Sequence, residues 1–259
     1  MGNGMKKDLL EVLLDNLKPL LDASQAVIWK GYKETGSFHA CKPLEETPVE
    51  IYDIEVFYSA SAVSSAISRI QQSITYIENY PCNISGYEIV HTQYDWIQYH
   101  YAFFIATLFS TLDILLILIN SVFELGNPPK NCRRDIILKN VWIRETEIPA
   151  KIKELERLIN SYREPRHLLL HRGRMPNLPS NSEDSLLDYL SFYNVLIQAR
   201  KNPFPPELIS EAWDMECPGI IKCLKSKVKK INTSVTEVFD ALLPYYLTIR
   251  ERRSRQNCT

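Results

Sequence analysis

Arg166-His167-Leu168-Leu169-Leu170-His171 gathers an arginine and two of the chain's five histidines into six residues. Residues four apart share a face of a helix, so His167 and His171 are expected to point the same way. An imidazole titrates near neutral pH and a guanidinium keeps its charge, so the stretch offers proton transfer beside phosphate binding. Base, acid and a cation for developing negative charge are the parts needed to cut RNA without a metal.

The flanking residues set the limits of the element that carries them. Pro165 is tolerated in the first turn of a helix, so it fixes where this one begins. Gly173, Pro176 and Pro179 close it within about a turn. Arg163, Arg172 and Arg174 crowd the same place with only Glu164 against them. The run Leu168-Leu169-Leu170 has a second meaning: it predicts a helix buried on one side, and such a helix can carry a histidine that merely satisfies a carbonyl. An arginine followed at this spacing by a histidine also arises by chance, so the motif gains meaning only from the rest of the chain.

At 259 residues and 45% apolar, the chain is long enough for one large domain or two small ones with a real core. A formal net charge of -1 excludes a generally basic nucleic-acid coat protein and leaves only local patches to attract a polyanion. With 8 glycines, below the usual share of roughly 7%, Gly-rich phosphate loops are disfavoured and helices favoured. The six cysteines, Cys41, Cys82, Cys132, Cys217, Cys223 and Cys258, form no Cys-x-x-Cys pair and have no histidine at ligand spacing. No structural metal and no cofactor is therefore expected. Met1 to Asn16 lacks a secretory pattern, and free thiols in a reducing cytoplasm follow as the expected setting. The Asn-x-Ser/Thr matches at Asn83 and Asn232 are then coincidental.

Tyr101 to Ile119, broken only by Thr107, Ser110, Thr111 and Asp113, approaches the length that spans a bilayer. Asp113 at mid-span would cost about 2.5 to 3.5 kcal/mol, and no Lys or Arg lies between Arg69 and Lys130 to anchor a flank. The central helix of a bundle is the better account, with no stable membrane insertion. Asp113, the one charge in this apolar run, is then expected to be buried and partnered, by Arg166 or a histidine of the motif helix or else by hydroxyls such as Thr111.

Nearly every periodic segment has helical spacing. Leu9, Leu13, Leu17 and Leu20 mark a first helix, and Phe57, Ala60, Val63, Ile67, Ile70, Ile74 and Ile77 a long second. A third runs from about Thr92 to Leu125, and a short one from about Asp135 to Trp142. Ile148, Ile152, Leu155, Ile159 and Tyr162 lead into the motif helix, and Ser180-x-x-Glu183 opens another as a capping box. Ile220 to Ile249 carry the last, with a bend expected at Pro244. Tyr87 to His91 and Ser37 to Cys41 are the places where a short strand would fit. The pattern predicts an all-α, up-and-down bundle of four or more long helices with additional short ones. Residues 51–259 form that bundle, and residues 1–50 pack on it as a helix followed by an irregular surface segment from Gly31 to Pro48.

A helical chain whose late helix carries Arg166-His167-x-x-x-His171 resembles the HEPN superfamily, with His167 where Asn is commoner. The resemblance covers about residues 54 to 250. It implies a four-helix bundle, often dimeric, and in many members a metal-independent endoribonuclease of toxin-antitoxin or other defence systems; other members are inactive binding modules. His171 would be the leading acid or base, Arg166 the stabiliser of the equatorial oxygens and His167 the second proton carrier, with Asp113, Arg163 and Arg172 in support. A homodimer would bring two motifs together, and a nucleotidyltransferase-like antitoxin is the implied partner beside RNA.

A basic stretch near the end could track an RNA backbone: Lys222, Lys225, Lys227, Lys229 and Lys230, then Arg250, Arg252, Arg253 and Arg255. Lys225 and Lys229, with Arg174, are the residues chosen from it and from the motif region as RNA contacts, and some of the fourteen tyrosines could stack bases. Three functions are compatible with the sequence: a ribonuclease, a catalytically silent helical module that binds a nucleotide, RNA or a partner protein, and a membrane-associated helical protein.

Overall fold

A computed structural model describes residues 9–36, 47–80, 93–173, 175–179 and 206–256. Every regular element among them is helical: α1 (Leu9–Thr35), α2 (Pro48–Glu78), α3 (Gln93–Val122), α4 (Arg134–Leu138), α5 (Ile148–Ile159), α6 (Arg163–Arg172) and α7 (Pro206–Gln256), with single 3-10 turns at Pro129–Asn131 and Asn160–Tyr162. The fold is all-α, as the periodicity predicted. Arg174, the helix opened by Ser180-x-x-Glu183 and the two strand candidates lie outside the described residues.

Several helix ends depart from the sequence reading: α4 stops at Leu138, short of Trp142, α7 begins at Pro206, ahead of Ile220, and two further departures have a local cause. The helix α1 continues through Gly31 to Thr35, where an irregular segment was expected, and stops at Gly36, whose φ of +69° and N–H bond to the Tyr32 carbonyl (2.8 Å) close it. The helix α2 begins at Pro48, ahead of its apolar stripe, because Thr47 and Glu50 cap each other. The Glu50 N–H donates to Thr47 Oγ1 (3.3 Å), and the Thr47 N–H donates to Glu50 Oε2 (2.7 Å). The Thr47 hydroxyl, which also donates to Glu50 Oε2 (2.7 Å), and then the Thr47 N–H hold the Glu50 carboxyl below its ordinary range. The signal, Thr-Pro-x-Glu with proline at the first helical position, is readable in the sequence.

Two compact units divide the chain, the first drawn from Met1–Ser64, Leu112–Lys153 and Ser234–Thr259, the second from Ser65–Thr111 and Glu154–Thr233. In the first, Leu9, Leu13, Leu17, Val56, Leu118, Val238 and Leu242 are buried around a polar centre. Asp53, almost wholly buried, accepts from Tyr246 Oη (2.7 Å) and Arg250 Nε (3.0 Å), while Asn16 Nδ2 donates to Tyr246 Oη (2.9 Å). Tyr52 Oη donates to the Val122 carbonyl (2.9 Å), so α1, α2, α3 and α7 are tied into one four-helix set. Desolvation raises the Asp53 pKa more than Tyr246 and Arg250 lower it.

In the second unit, Ile70, Ile74, Ile97, Phe104, Ile105, Leu108, Leu155, Leu224 and Ile231 form the core. Here the end of α2 meets the start of α3, through Trp96 Nε1 donating to the Tyr76 carbonyl (2.8 Å); in the first unit the start of α2 meets the end of α3. That pairing order is the one antiparallel neighbours give, as in an up-and-down bundle. The helix α7 runs through both Pro218 and Pro244 without interruption.

The residues Trp96–Val122 make one described helix long and apolar enough to cross a membrane by length and composition, yet 56% of its most apolar stretch is buried inside the protein. More of it faces protein than surroundings, which fits a core helix. Its remaining face explains a correction: Asp113 is exposed, not buried. It shares a helix face with exposed Ser110, while Leu115, Leu116, Leu118 and Ile119 carry the buried side. An apolar run does not state its phase, and an exposed carboxylate needs no buried partner.

Candidate functional site

The helix α6 is short and lies at the surface of the second unit. It follows the 3-10 turn directly, with Tyr162 as its capping residue and no side-chain cap bond, and takes Glu164 and Pro165 into its first turn. Gly173 ends it in the left-handed region (φ 60°, ψ 22°), returning its N–H to the Leu168 carbonyl. No residue of α6 is fully buried. The burial expected from the leucine run is partial, since Leu168 and Leu169 are half-covered and Leu170 is 52% exposed.

His167 and His171 do share the exposed face, their ring centroids 5.0 Å apart with planes tilted by 42°. Arg166 lies on the adjoining, half-buried side. Its guanidinium carbon stands 4.8 Å from the ring centroid of Phe109 on α3, a cation–π contact, and its Nε is buried with no hydrogen-bond partner. A buried unpaired N–H costs about 1–3 kcal/mol, and this donor lacks an acceptor among the described residues. The structure therefore brings the two histidines together and holds the arginine beside them by stacking, without a carboxylate neutralising it among the described residues. Arg163 and Arg172 are exposed at the two ends of the same helix.

The basic stretch of α7 divides in a way its composition did not reveal. Lys225 Nζ donates to both oxygens of Glu78 on α2 (2.8 and 2.7 Å). Arg250 is taken by Asp53, Arg252 and Arg253 by Glu124, and Arg255 by Glu251. Lys229 is exposed. Lys227 and Lys230, passed over in the choice of RNA contacts, line a cavity of about 490 Å³ together with Ser161, Tyr162 and Pro165. Lys227 Nζ donates to Ser161 Oγ (3.1 Å) and sits 5.5 Å from the Tyr162 ring centroid.

One further group was missed. His100 on α3 is buried among Tyr76, Trp96 and Tyr99, with Nε2 unpaired, and burial pushes its pKa down. Trp96, four residues before it on the same helix, was the available signal. No three His, Cys, Asp or Glu side chains gather into a metal-ligand set among the described residues.

An all-helical chain that presents an Arg-x-x-x-x-His motif on a short surface helix defines a class of small helical-bundle domains. A family model described as HEPN_Cthe2314-like HEPN matches residues 60–240, well over half of the sequence, and the chain belongs to that HEPN family. The match includes the whole of α3, α5 and α6, and therefore the motif itself. No curated protein and no solved structure matches the chain significantly.

Proposed function

We propose that this chain is a metal-independent endoribonuclease whose reacting groups are His171, His167 and Arg166. The observation that carries the reading is the pairing of an arginine that no described carboxylate neutralises, its Nε buried and unpaired, with two solvent-facing imidazoles 5.0 Å apart on the same helix. In the reaction one imidazole removes the proton of the RNA 2'-hydroxyl, and the oxygen so freed attacks the adjacent phosphorus. The P–O5' bond breaks, the second imidazolium gives its proton to the departing 5'-oxygen, and the products are a 2',3'-cyclic phosphate and a 5'-hydroxyl. Arg166 faces the equatorial phosphate oxygens, where charge builds up in the transition state.

The second proton carrier is His167 of the same chain or His171 of a second copy. A two-fold interface doubles any residue near its axis, and exposed Leu170 between the histidines gives such an interface an apolar contact. Mixing Arg166→Ala with His171→Ala subunits separates the cases: a composite site restores or changes activity in the mixed dimer, whereas a monomer that still cuts RNA places the whole site in one chain. Within a toxin or defence system such an enzyme would act in the cytoplasm under control of a nucleotidyltransferase-like antitoxin. The primary test is incubation of the purified protein with single-stranded RNA and a chelator. Cyclic-phosphate ends are expected; cleavage that appears only on adding Mg²⁺ or Mn²⁺ would overturn the proposal, and RNA binding without cleavage would favour the silent binding module.

A further inference from the structure

The cavity beside the start of α6 has a composition suited to one kind of guest. On α7, Cys223, Ser226, Lys227 and Lys230 fall on one helix face, since their spacings are three, four and seven residues. That face looks onto the turn Asn160–Tyr162 and onto Pro165, the residue immediately before Arg166. Asn177 and Pro179 complete the rim. Two ammonium groups, two serine hydroxyls and an asparagine amide border the space, and no carboxylate is among the described residues that line it.

Uncompensated like charges close together are unfavourable unless an anion is shared between them. Lys227 is half-buried, fixed against Ser161 and the face of Tyr162, and its pKa is pushed down by burial first and by Lys230 second. A solvated surface lysine would avoid such a position. Lys225, two residues before Lys227, is paired with Glu78, whereas no described carboxylate pairs with Lys227 or Lys230.

We propose that this cavity is a phosphate-binding subsite, in which Lys227 and Lys230 seat an RNA backbone phosphate and lead the strand to Arg166. The proposal rests on the ribonuclease reading for its ligand, and its test is arranged so that the two can fail separately. Ser161, Ser226 and Asn177 supply neutral donors to the phosphate oxygens, and the cavity volume of about 490 Å³ accommodates a phosphodiester with its ribose.

The experiment uses the full chain carrying His171→Ala, which slows cleavage enough for equilibrium binding, and a fluorescent single-stranded RNA titrated over a range of salt. Removing one lysine that neutralises a phosphate flattens the slope of log K against log salt by about 0.7 for a single strand. Lys227→Gln/Lys230→Gln, which together empty one phosphate position, is expected to flatten it by about 0.7 and to weaken binding, whereas Lys18→Gln/Lys153→Gln, two exposed lysines outside the cavity lining, changes it less. Lys230→Gln alone, at an exposed position, serves if the double variant does not fold, with a flattening smaller than the roughly 0.7 of the double variant but in the same direction. Cys223, an exposed free thiol on the cavity wall, gives a second readout. Bound RNA should slow its alkylation by iodoacetamide, while inorganic phosphate at the same phosphate concentration protects weakly, which separates a strand site from a site for free phosphate. An unchanged salt slope, or Cys223 labelled at full rate under saturating RNA, overturns the subsite. RNA that binds and protects Cys223 in a protein whose native sequence cuts nothing leaves the subsite standing and removes the ribonuclease.

Discussion

Replacing Phe109 by leucine tests whether stacking is what aims Arg166. The guanidinium lies 4.8 Å from the Phe109 ring centroid, and no acidic side chain among the described residues orients it. A cation–π contact is worth about 0.5–1 kcal/mol at an exposed site and about 2 kcal/mol when desolvated. Arg166 is half-buried, so about 1 kcal/mol of positioning is at stake, which corresponds to about a fivefold fall in kcat/KM. Losing the guanidinium altogether, in Arg166→Ala, removes a group aimed at developing phosphate charge and is expected to cost about 10²–10³-fold.

The decisive measurement is the double variant. If Phe109 acts only through Arg166, Phe109→Leu has no further effect in the Arg166→Ala background, and the coupling equals its whole effect in the native sequence. The loss should fall on kcat, because a misaimed arginine weakens the transition state more than the ground state. Urea denaturation of each variant separates this from unfolding, since leucine keeps the position apolar. The reasoning is refuted if Phe109→Leu leaves kcat/KM unchanged, or if it lowers activity by the same factor with and without Arg166.

His171→Ala is expected to reduce cleavage by about 10²–10⁴-fold with RNA affinity retained, and a rate comparable to that of the native sequence in a chelator-treated assay would remove this histidine from the reaction. Gly173→Ala should cost about 1 kcal/mol in urea denaturation and lower activity with it, because φ is +60° while an added Cβ meets nothing within 4 Å, so the strain is purely in the backbone that ends α6 next to His171. Asp53→Ala should destabilise the chain by about 2–3 kcal/mol by stripping Tyr246 and Arg250 of their acceptor, and Asp53→Asn by less. Because burial raises the Asp53 pKa, the native fold holds that proton better than the unfolded chain does. The resulting stabilisation is complete below the unfolded value of about 4 and is lost as pH rises through the folded value, a decline that Asp53→Asn should abolish in denaturation curves recorded across that window.

What the sequence made legible was spacing within a helix. His167 and His171 stand together because four residues make about one turn, and Gly173 ends α6 because its φ is positive. The stripes of α1 and α2 named the buried residues Leu13, Ile70 and Ile77 for the same reason. What stayed hidden was whatever stands across from a side chain. Asp113 was assigned to the interior because its neighbours in sequence are apolar, yet it lies on the exposed side of α3 with Ser110. Among the lysines of α7 the same difficulty decides function. Lys225 and Lys227 are two residues apart and so point about 200° away from one another, the first at Glu78 on α2 and the second into the cavity. Counting charges along the chain treats them as equals, although one is neutralised within the fold and the other is available to a phosphate. A run of basic residues therefore becomes a nucleic-acid interface only after nearby acids have taken their share: Glu78, Asp53, Glu124 and Glu251 take Lys225, Arg250, Arg252, Arg253 and Arg255, and of the lysines that no described acid takes, Lys227 and Lys230 are the two that line the cavity beside the Arg166 helix.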